Sequence, residues 1–180
     1  MISRLTAFTL IIFLSPLLFL TSVYIFFLDG KPIFFKQKRA GRNDTFFYIY
    51  KFRTMKKDTP DIPSDKLEYN PFYFGGNMLR KLSIDEIPQL INIVKGEMNF
   101  IGPRPALHNQ DYLILKRKEL NINYLNPGIT GWAQINGRDK ITENEKIELD
   151  HYYALNKSLK LDLEILLKTF IKVLSIKDIN

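Results

Sequence analysis

Asp85 and Glu86 stand side by side in M-L-R-K-L-S-I-D-E-I-P-Q-L-I-N-I-V-K-G, residues Met78–Gly96, with Arg80 and Lys81 just upstream. Adjacent carboxylates beside cations suit nucleophilic attack by an ionised acid, or the holding of a hard divalent cation. The same residues also suit a plainer use, in which Ser83 and Glu86 form a capping box and Asp85 answers the helix dipole. Further along, Arg104 is held between two prolines in Gly102-Pro103-Arg104-Pro105. The second proline disfavours the α region at Arg104, so a stiff loop presents its guanidinium, a fork that grips phosphate oxygens in pairs. Arg138 follows Asn136-Gly137, a tight-turn signal that presents it similarly. Lys51 and Arg53, two residues apart, would share one side of a strand. A solvated face is the alternative for that pair, and a rigid turn with a surface arginine is the alternative at Arg104.

Composition narrows the partners. The formal charge is +7, which calls for nucleic acid, an anionic membrane surface or a phosphorylated substrate. With no cysteine in the chain, disulfide scaffolds, zinc-thiolate sites and Fe–S clusters are excluded. Neither G-x-G-x-x-G nor a P-loop occurs, and His108 and His151 are too far apart in sequence to suggest a metal pair.

The elements that must position these residues can be read from periodicity. Ser83 and Asp85 are good helix-start types, Pro88 fits a first turn, and Ile87, Leu90, Ile91 and Val94 recur at helical spacing before a stop at Lys95-Gly96. Upstream, Phe34–Gln37 and Thr45–Lys51 are predicted to form a hairpin around a turn at Ala40–Asp44. Its aromatic run from Phe46 to Tyr50 does not alternate cleanly, and would fill a core or lie at a membrane interface. Thr59–Tyr73 reads as a loop. Ala106–Leu120, Glu143–Tyr153 and Lys160–Leu174 read as helices. In the last, Leu163, Leu166, Leu167, Phe170, Val173 and Leu174 form a stripe that would pack on the core or lie on a bilayer.

The N-terminal part is of a different kind. Leu5 to Leu28 is 24 residues without a charge. As a straight helix it would measure ~36 Å, enough to cross a bilayer core. Ser15-Pro16 falls at its middle, where proline removes a backbone hydrogen bond and kinks the helix, while the Ser15 hydroxyl is able to satisfy a freed carbonyl. A kinked span and a helix that re-enters and turns back are both open. Nine basic residues between Lys31 and Lys57, against the single acid Asp44, put the following domain on the cytoplasmic side.

Taken in order, the apolar segment with its central Ser-Pro, F-F-K-Q-K-R-A-G, Y-K-F-R-T-M, L-R-K-L-S-I-D-E-I-P-Q-L-I-N-I-V-K-G-E-M-N-F-I-G-P-R-P and N-P-G-I-T-G-W-A-Q-I-N-G-R-D resemble one family. It is that of the bacterial initiating sugar transferases, the small monotopic phosphoglycosyl transferases of envelope glycan and glycoprotein assembly. The resemblance covers nearly the whole chain. It implies transfer of a sugar-1-phosphate from a UDP-sugar to polyprenol (undecaprenyl) phosphate, through a covalent aspartyl-phosphosugar. It implies Asp85 as nucleophile and Mg2+ ligand, Glu86 as its dyad partner, and a re-entrant helix broken at Ser15 and Pro16. Lys51, Arg53, Arg80, Arg104 and Arg138 are the expected substrate-binding cations.

The fold expected is mixed α/β, mainly α-helical with a small β-hairpin and amphipathic surface helices. Residues 1–30 are the membrane helix and residues 31–180 the catalytic domain, on the cytoplasmic face of the bacterial inner membrane. Downstream glycosyltransferases are further expected partners. The competing class is a membrane-tethered basic protein that binds nucleic acid without catalysis; it leaves Asp85-Glu86 beside the arginines unexplained, so no nucleic-acid partner is expected. The sequence does not specify the sugar, and the Thr59–Tyr73 loop is expected to help select it.

Overall fold

The structure, a computed structural model, describes residues 2–57, 59, 69–137 and 141–175. It is mixed α/β and mostly helical, with two small sheets. The apolar N-terminal run folds as two helices, α1 (Ile2–Phe13) and α2 (Ser15–Asp29), bent by 61° at the break. Pro16 supplies the cause, since it lacks the N–H that an unbroken helix would give to the carbonyl of Ile12. Among the described residues the Ser15 hydroxyl has no hydrogen bond at the break, whereas Thr6, Thr9 and Ser22 donate to carbonyls four residues back. Among the described residues no single helix is long and apolar enough to cross a membrane, but the bent pair has the length and composition together.

Both ends of this pair are fixed to the rest of the chain. The Arg4 guanidinium lies against Gly96, and Ala7 is buried with Phe47, Ile49, Leu90, Ile93 and Met98. Ile25 of α2 is buried with Phe52, Tyr73 and Leu79. At the C-terminal end Arg53 grips the Asp29 carboxylate and donates to the carbonyls of Asp29, Gly30 and Pro32 at 3.1, 2.8 and 2.6 Å. The Asp29 carbonyl is one of the orphan acceptors left where a helix stops, and those of Gly30 and Pro32 belong to the turn that follows it.

The hairpin pairs β1 (Phe34–Ala40) with β2 (Phe46–Phe52), antiparallel, from Phe34 opposite Phe52 to Ala40 opposite Phe46. Asn43 and Asp44 turn it at φ 52° and 60°, a region these two residue types tolerate better than most. The aromatic run does alternate in space: Phe47 and Ile49 are buried, whereas Phe46 and Tyr48 are exposed. After α3 (Gly76–Lys81) and a 3₁₀ turn (Ile84–Gln89), α4 (Leu90–Lys95) packs beneath the hairpin and stops at Gly96, in the left-handed conformation as the Lys-Gly signal implies. Asn92 of α4 takes the place of a missing neighbouring strand. It is fully buried, accepts from Tyr50 N at 3.1 Å, and donates to Tyr48 O at 2.7 Å and Glu97 at 2.8 Å.

A second sheet was not evident from periodicity. Strand β3 (Asn99–Ile101) runs parallel to β4 (Gly128–Thr130), with Asn99 opposite Gly128 and Ile101 opposite Thr130. Three-residue strands are too short to show a period, yet this pair joins segments about thirty residues apart. It sets Gly131 so close to Gly102 that a Cβ there would collide with the Gly102 carbonyl. Helix α5 (Asp111–Glu119) begins later than Ala106, where a helix is predicted to start. Ala106 instead accepts from Ala40 N at 2.9 Å and Leu107 bridges Arg39, extending the hairpin.

The short α6 (Trp132–Asn136) is followed by α7 (Glu143–Asn156), opened by a Thr142–Glu145 capping box, and by α8 (Leu159–Ser175). In α8 the buried face is Leu161 and Ile165, and Leu163, Leu166, Leu167 and Phe170 of the predicted stripe face outward.

Replacing Asn92 by Ala leaves Tyr50 N–H and Tyr48 C=O without their partner at the partly buried edge of β2, at about 1–3 kcal/mol for each unsatisfied group. Denaturation of the purified protein in micelles should register a loss of about 3 kcal/mol; a loss below about 0.5 kcal/mol would show that the edge of β2 has another partner.

Candidate active site

Asp85 and Glu86 lie on the 3₁₀ turn that leads into α4, packed against β2. Two residues impose the tight winding. Ser83 adopts the left-handed conformation, φ 55°, and Pro88 has no N–H to offer the carbonyl of Ile84, so an α-type bond cannot form there. The Ser83 side chain makes no capping hydrogen bond, and the capping box with Glu86 does not form. Glu86 is engaged elsewhere. Its Oε1 accepts from Lys51 Nζ at 2.6 Å and from Arg104 Nη2 at 3.2 Å.

Asp85 is 5% exposed, and its Oδ1 is buried without a hydrogen-bond partner. Burial pushes its carboxyl up to about 6; Lys51 pulls it down, the Glu86 charge raises it further, and Arg80 and Arg104 pull it down again. Burial likewise drives the Lys51 ammonium below its usual range, while Glu86 opposes the shift. The result is one acid whose carboxyl is raised beside a second acid that accepts from two cations. Such a division of labour between neighbouring carboxyls is what acid–base and nucleophilic sites use.

The supports come from five places. Lys51 is near the end of β2, and Arg80 is near the end of α3 with its guanidinium over the Phe72 ring at 5.7 Å. Arg104 follows β3, and its loop is held from behind. Arg117 of α5 donates to the Arg104 carbonyl at 2.9 Å and to Asp150 Oδ2 of α7 at 3.1 and 2.5 Å. Asp150 is 1% exposed, so this pair ties the loop to the helical layer through buried charge. Neither residue is evident as a support from the sequence alone. The available signal is that Asp150 stands on the apolar stripe of α7, three residues from each of the buried Ile147 and Tyr153. Gln89 and Gln134 were also missed; Gln89 Nε2 and both amide atoms of Gln134 are buried without partners.

The structure thus gathers Asp85, Glu86, Lys51, Arg80 and Arg104. Arg53 is a correction. The strand ends at Phe52, so the alternation that would put Arg53 beside Lys51 does not reach it, and its donors close the end of α2 instead. Arg138 lies outside the described residues, as does most of the Thr59–Tyr73 loop; Tyr73 itself donates from its hydroxyl to Arg53 O at 2.6 Å. Ser15 and Pro16 mark the helix break, on a different element from the carboxylates.

The description of the bacterial sugar transferases matches residues 1–176. Over 149 residues, 81% of this chain and 71% of the relative, the sequence is 47% identical to the uncharacterised sugar transferase EpsL of Bacillus subtilis. It is 35% identical to the exopolysaccharide production protein ExoY of Sinorhizobium fredii, over 88% of this chain and 77% of that one. It is 36% identical to the UDP-glucose:undecaprenyl-phosphate glucose-1-phosphate transferase of Xanthomonas campestris, over 91% of this chain but 36% of that protein's length. The match runs from the bent helical pair through the paired carboxylates to α8, and the chain belongs to the bacterial sugar transferase family.

Proposed function

We propose that this protein is a phosphoglycosyl transferase that moves a sugar-1-phosphate from a UDP-sugar to polyprenol phosphate and releases UMP. The observation that carries this reading is the state of Asp85: a buried carboxylate with one unpartnered oxygen, ringed by Lys51, Arg80 and Arg104. The name of the Xanthomonas relative agrees with it. The class of reaction then follows from charge. A carboxylate that attacks a diphosphate must approach like charge, and cations have to neutralise the phosphoryl oxygens first. Arg104 presents a planar fork suited to two such oxygens, and Lys51 holds Glu86 so that its charge is balanced during the approach. Attack of Asp85 on the sugar-bearing phosphorus forms an aspartyl-phosphosugar and breaks the bond to UMP. Polyprenol phosphate next attacks that phosphorus and returns the electron pair to the carboxylate.

The donor set fits magnesium, a hard ion that takes one or two carboxylates and completes its shell with substrate phosphates and water. Asp85 would contribute one carboxylate oxygen, and no cluster of three or more acids or histidines is present among the described residues to hold the ion alone. When bound, the ion supplies further neutralisation of the phosphoryl oxygens.

A lipid acceptor requires the site to meet a bilayer. Ile2, Phe13, Phe19 and Phe27 of the bent pair, and Leu167 and Phe170 of α8, are each more than 60% exposed, an apolar area that water alone disfavours. Both ends of the bent pair are fixed to one body, at Arg4 and at Asp29. This favours a re-entrant segment over a span, and the nine basic residues between Lys31 and Lys57 support a catalytic domain on the cytoplasmic face of the inner membrane.

Asp85→Asn should reduce release of UMP from a panel of UDP-sugars, with undecaprenyl phosphate and magnesium present, to below a hundredth of wild type. Retention of more than about a tenth, a barrier change under ~1.4 kcal/mol, would remove Asp85 as nucleophile. Because attack needs ionised Asp85, the rate should fall as pH drops through about 6. Lys51→Met removes the cation that lowers this value most, so that limb should move to higher pH; a limb that stays in place would mean that another group governs it. For topology, Ser3→Cys introduces the only thiol, and in intact cells it should resist an impermeant thiol reagent. Labelling there would put the N-terminus outside and favour a span.

A further inference from the structure

Where α1 begins, an open cleft of about 280 Å3 is lined by Ser3, Arg4, Gly96, Met98, Asn99 and Asn126. Arg4 is exposed and its guanidinium lies against Gly96, yet it has no hydrogen bond or ion pair among the described residues. The Ser3 hydroxyl and the Asn99 amide are likewise without a partner among the described residues. Asn126 donates to Gly96 O at 3.5 Å. The acid nearest in sequence, Glu97, accepts from the buried Asn92 amide at 2.8 Å. Lys95, on the other side of Gly96, is exposed and adds a second positive charge. The wall thus offers a planar guanidinium and neutral donors but no carboxylate, a composition that suits a phosphate. The neighbours narrow the kind of phosphate. Arg4 borders an apolar stripe of α1 in which Leu5, Phe8 and Ile12 are exposed, and Phe8 stands one turn beyond Arg4. A cation beside exposed apolar surface is complemented by a molecule that carries phosphate and hydrocarbon chains together. The cleft is separate from the carboxylates: it adjoins Gly96 at the end of α4, whereas Asp85 precedes that helix, whose six residues alone span ~9 Å.

We propose that this cleft seats the phosphodiester headgroup of a bilayer phospholipid. Arg4 grips its oxygens, Ser3 and Asn99 donate to them, and the acyl chains run over Leu5, Phe8 and Ile12. The site goes beyond the transferase reading and shares with it only the placement of the bent pair in a bilayer. A headgroup held here pins the start of α1 at the phosphate level of the leaflet. Helix α1 is packed on α4 through Ala7, Leu90 and Ile93, and the turn that carries Asp85 leads into α4. The bound lipid therefore sets the height of the carboxylates relative to the plane in which a lipid acceptor presents its own phosphate.

The full chain in neutral-detergent micelles should retain one phosphatidylglycerol per protein in native mass spectra. Diacylglycerol, which has the chains without the phosphate, should not replace it, and neither should a large excess of inorganic phosphate, which has no chains. Arg4→Gln should weaken retention about tenfold or more, and Arg4→Lys less, because lysine keeps the charge without the planar fork. Ser3→Asp sets a carboxylate on the wall and should abolish retention. An acid suits the first turn of a helix, so this variant tests the site even where Arg4→Gln fails to fold. Unchanged retention in Arg4→Gln or in Ser3→Asp overturns the inference. Diacylglycerol held as firmly as phosphatidylglycerol would leave only apolar adhesion, and displacement by inorganic phosphate would make the ligand a free anion; either result overturns it too. A wild-type chain that does not stay with vesicles of phosphatidylglycerol and phosphatidylcholine would overturn the bilayer placement as well, whereas a vesicle-bound chain that retains no phosphatidylglycerol in micelles overturns only this site.

Discussion

Two adjacent carboxylates in a partly dry site repel each other, and the rest of the architecture answers that constraint. Buried charge is tolerated only when it is paired or neutralised. Glu86 is paired twice, by Lys51 from the hairpin and Arg104 from the loop after β3. Asp85 is left with attraction from a distance and a carboxyl held near 6. The asymmetry has a structural origin: the 3₁₀ turn points successive side chains to different sides, so the paired cations reach one acid and not the other. An α-helical start with Ser83 as its cap would have spent Glu86 on the backbone.

The cations are useful only if their carriers are rigid, and each carrier is fixed by a polar contact inside the structure. Strand β2 is held on its free edge by Asn92. The Arg104 loop is backed by Arg117 and Asp150, a buried pair whose rupture would cost roughly 3–5 kcal/mol by leaving one charge unpaired. These residues touch neither carboxylate. They convert a flexible guanidinium and a flexible ammonium into fixed charges, as preorganised electrostatic stabilisation requires.

Much of this was legible in the sequence where local rules dominate. Pro16 announced the bend, Lys95-Gly96 the end of α4, and the hydrophobic spacing the long helices. The Pro-Arg-Pro triplet announced the stiff loop that presents Arg104. What was not legible depended on long-range pairing. The parallel β3–β4 contact is too short to carry a period, and the Arg117–Asp150 pair spans 33 residues. Arg53 shows how a local rule misleads. Two cations at i and i+2 share a face only while the strand continues, and here it stops at Phe52, leaving Arg53 free to turn toward the open carbonyls of a helix end.

That clasp also bears on how a catalytic body can be coupled to a lipid phase. The buried guanidinium of Arg53 joins the end of α2 to the residue following β2, two positions beyond Lys51. Tyr73 donates to the Arg53 carbonyl from the other side and packs with Ile25 of α2. A displacement of α2 along its axis would therefore have to break several hydrogen bonds to a charged group or carry the end of β2 with it. Hydrogen bonds to a charged group contribute about 1.5–3 kcal/mol each, so the second course is favoured. The apolar pair and the carboxylate site consequently share one rigid frame, and the depth at which the bent helices settle fixes the height of Asp85 relative to whatever surface they contact.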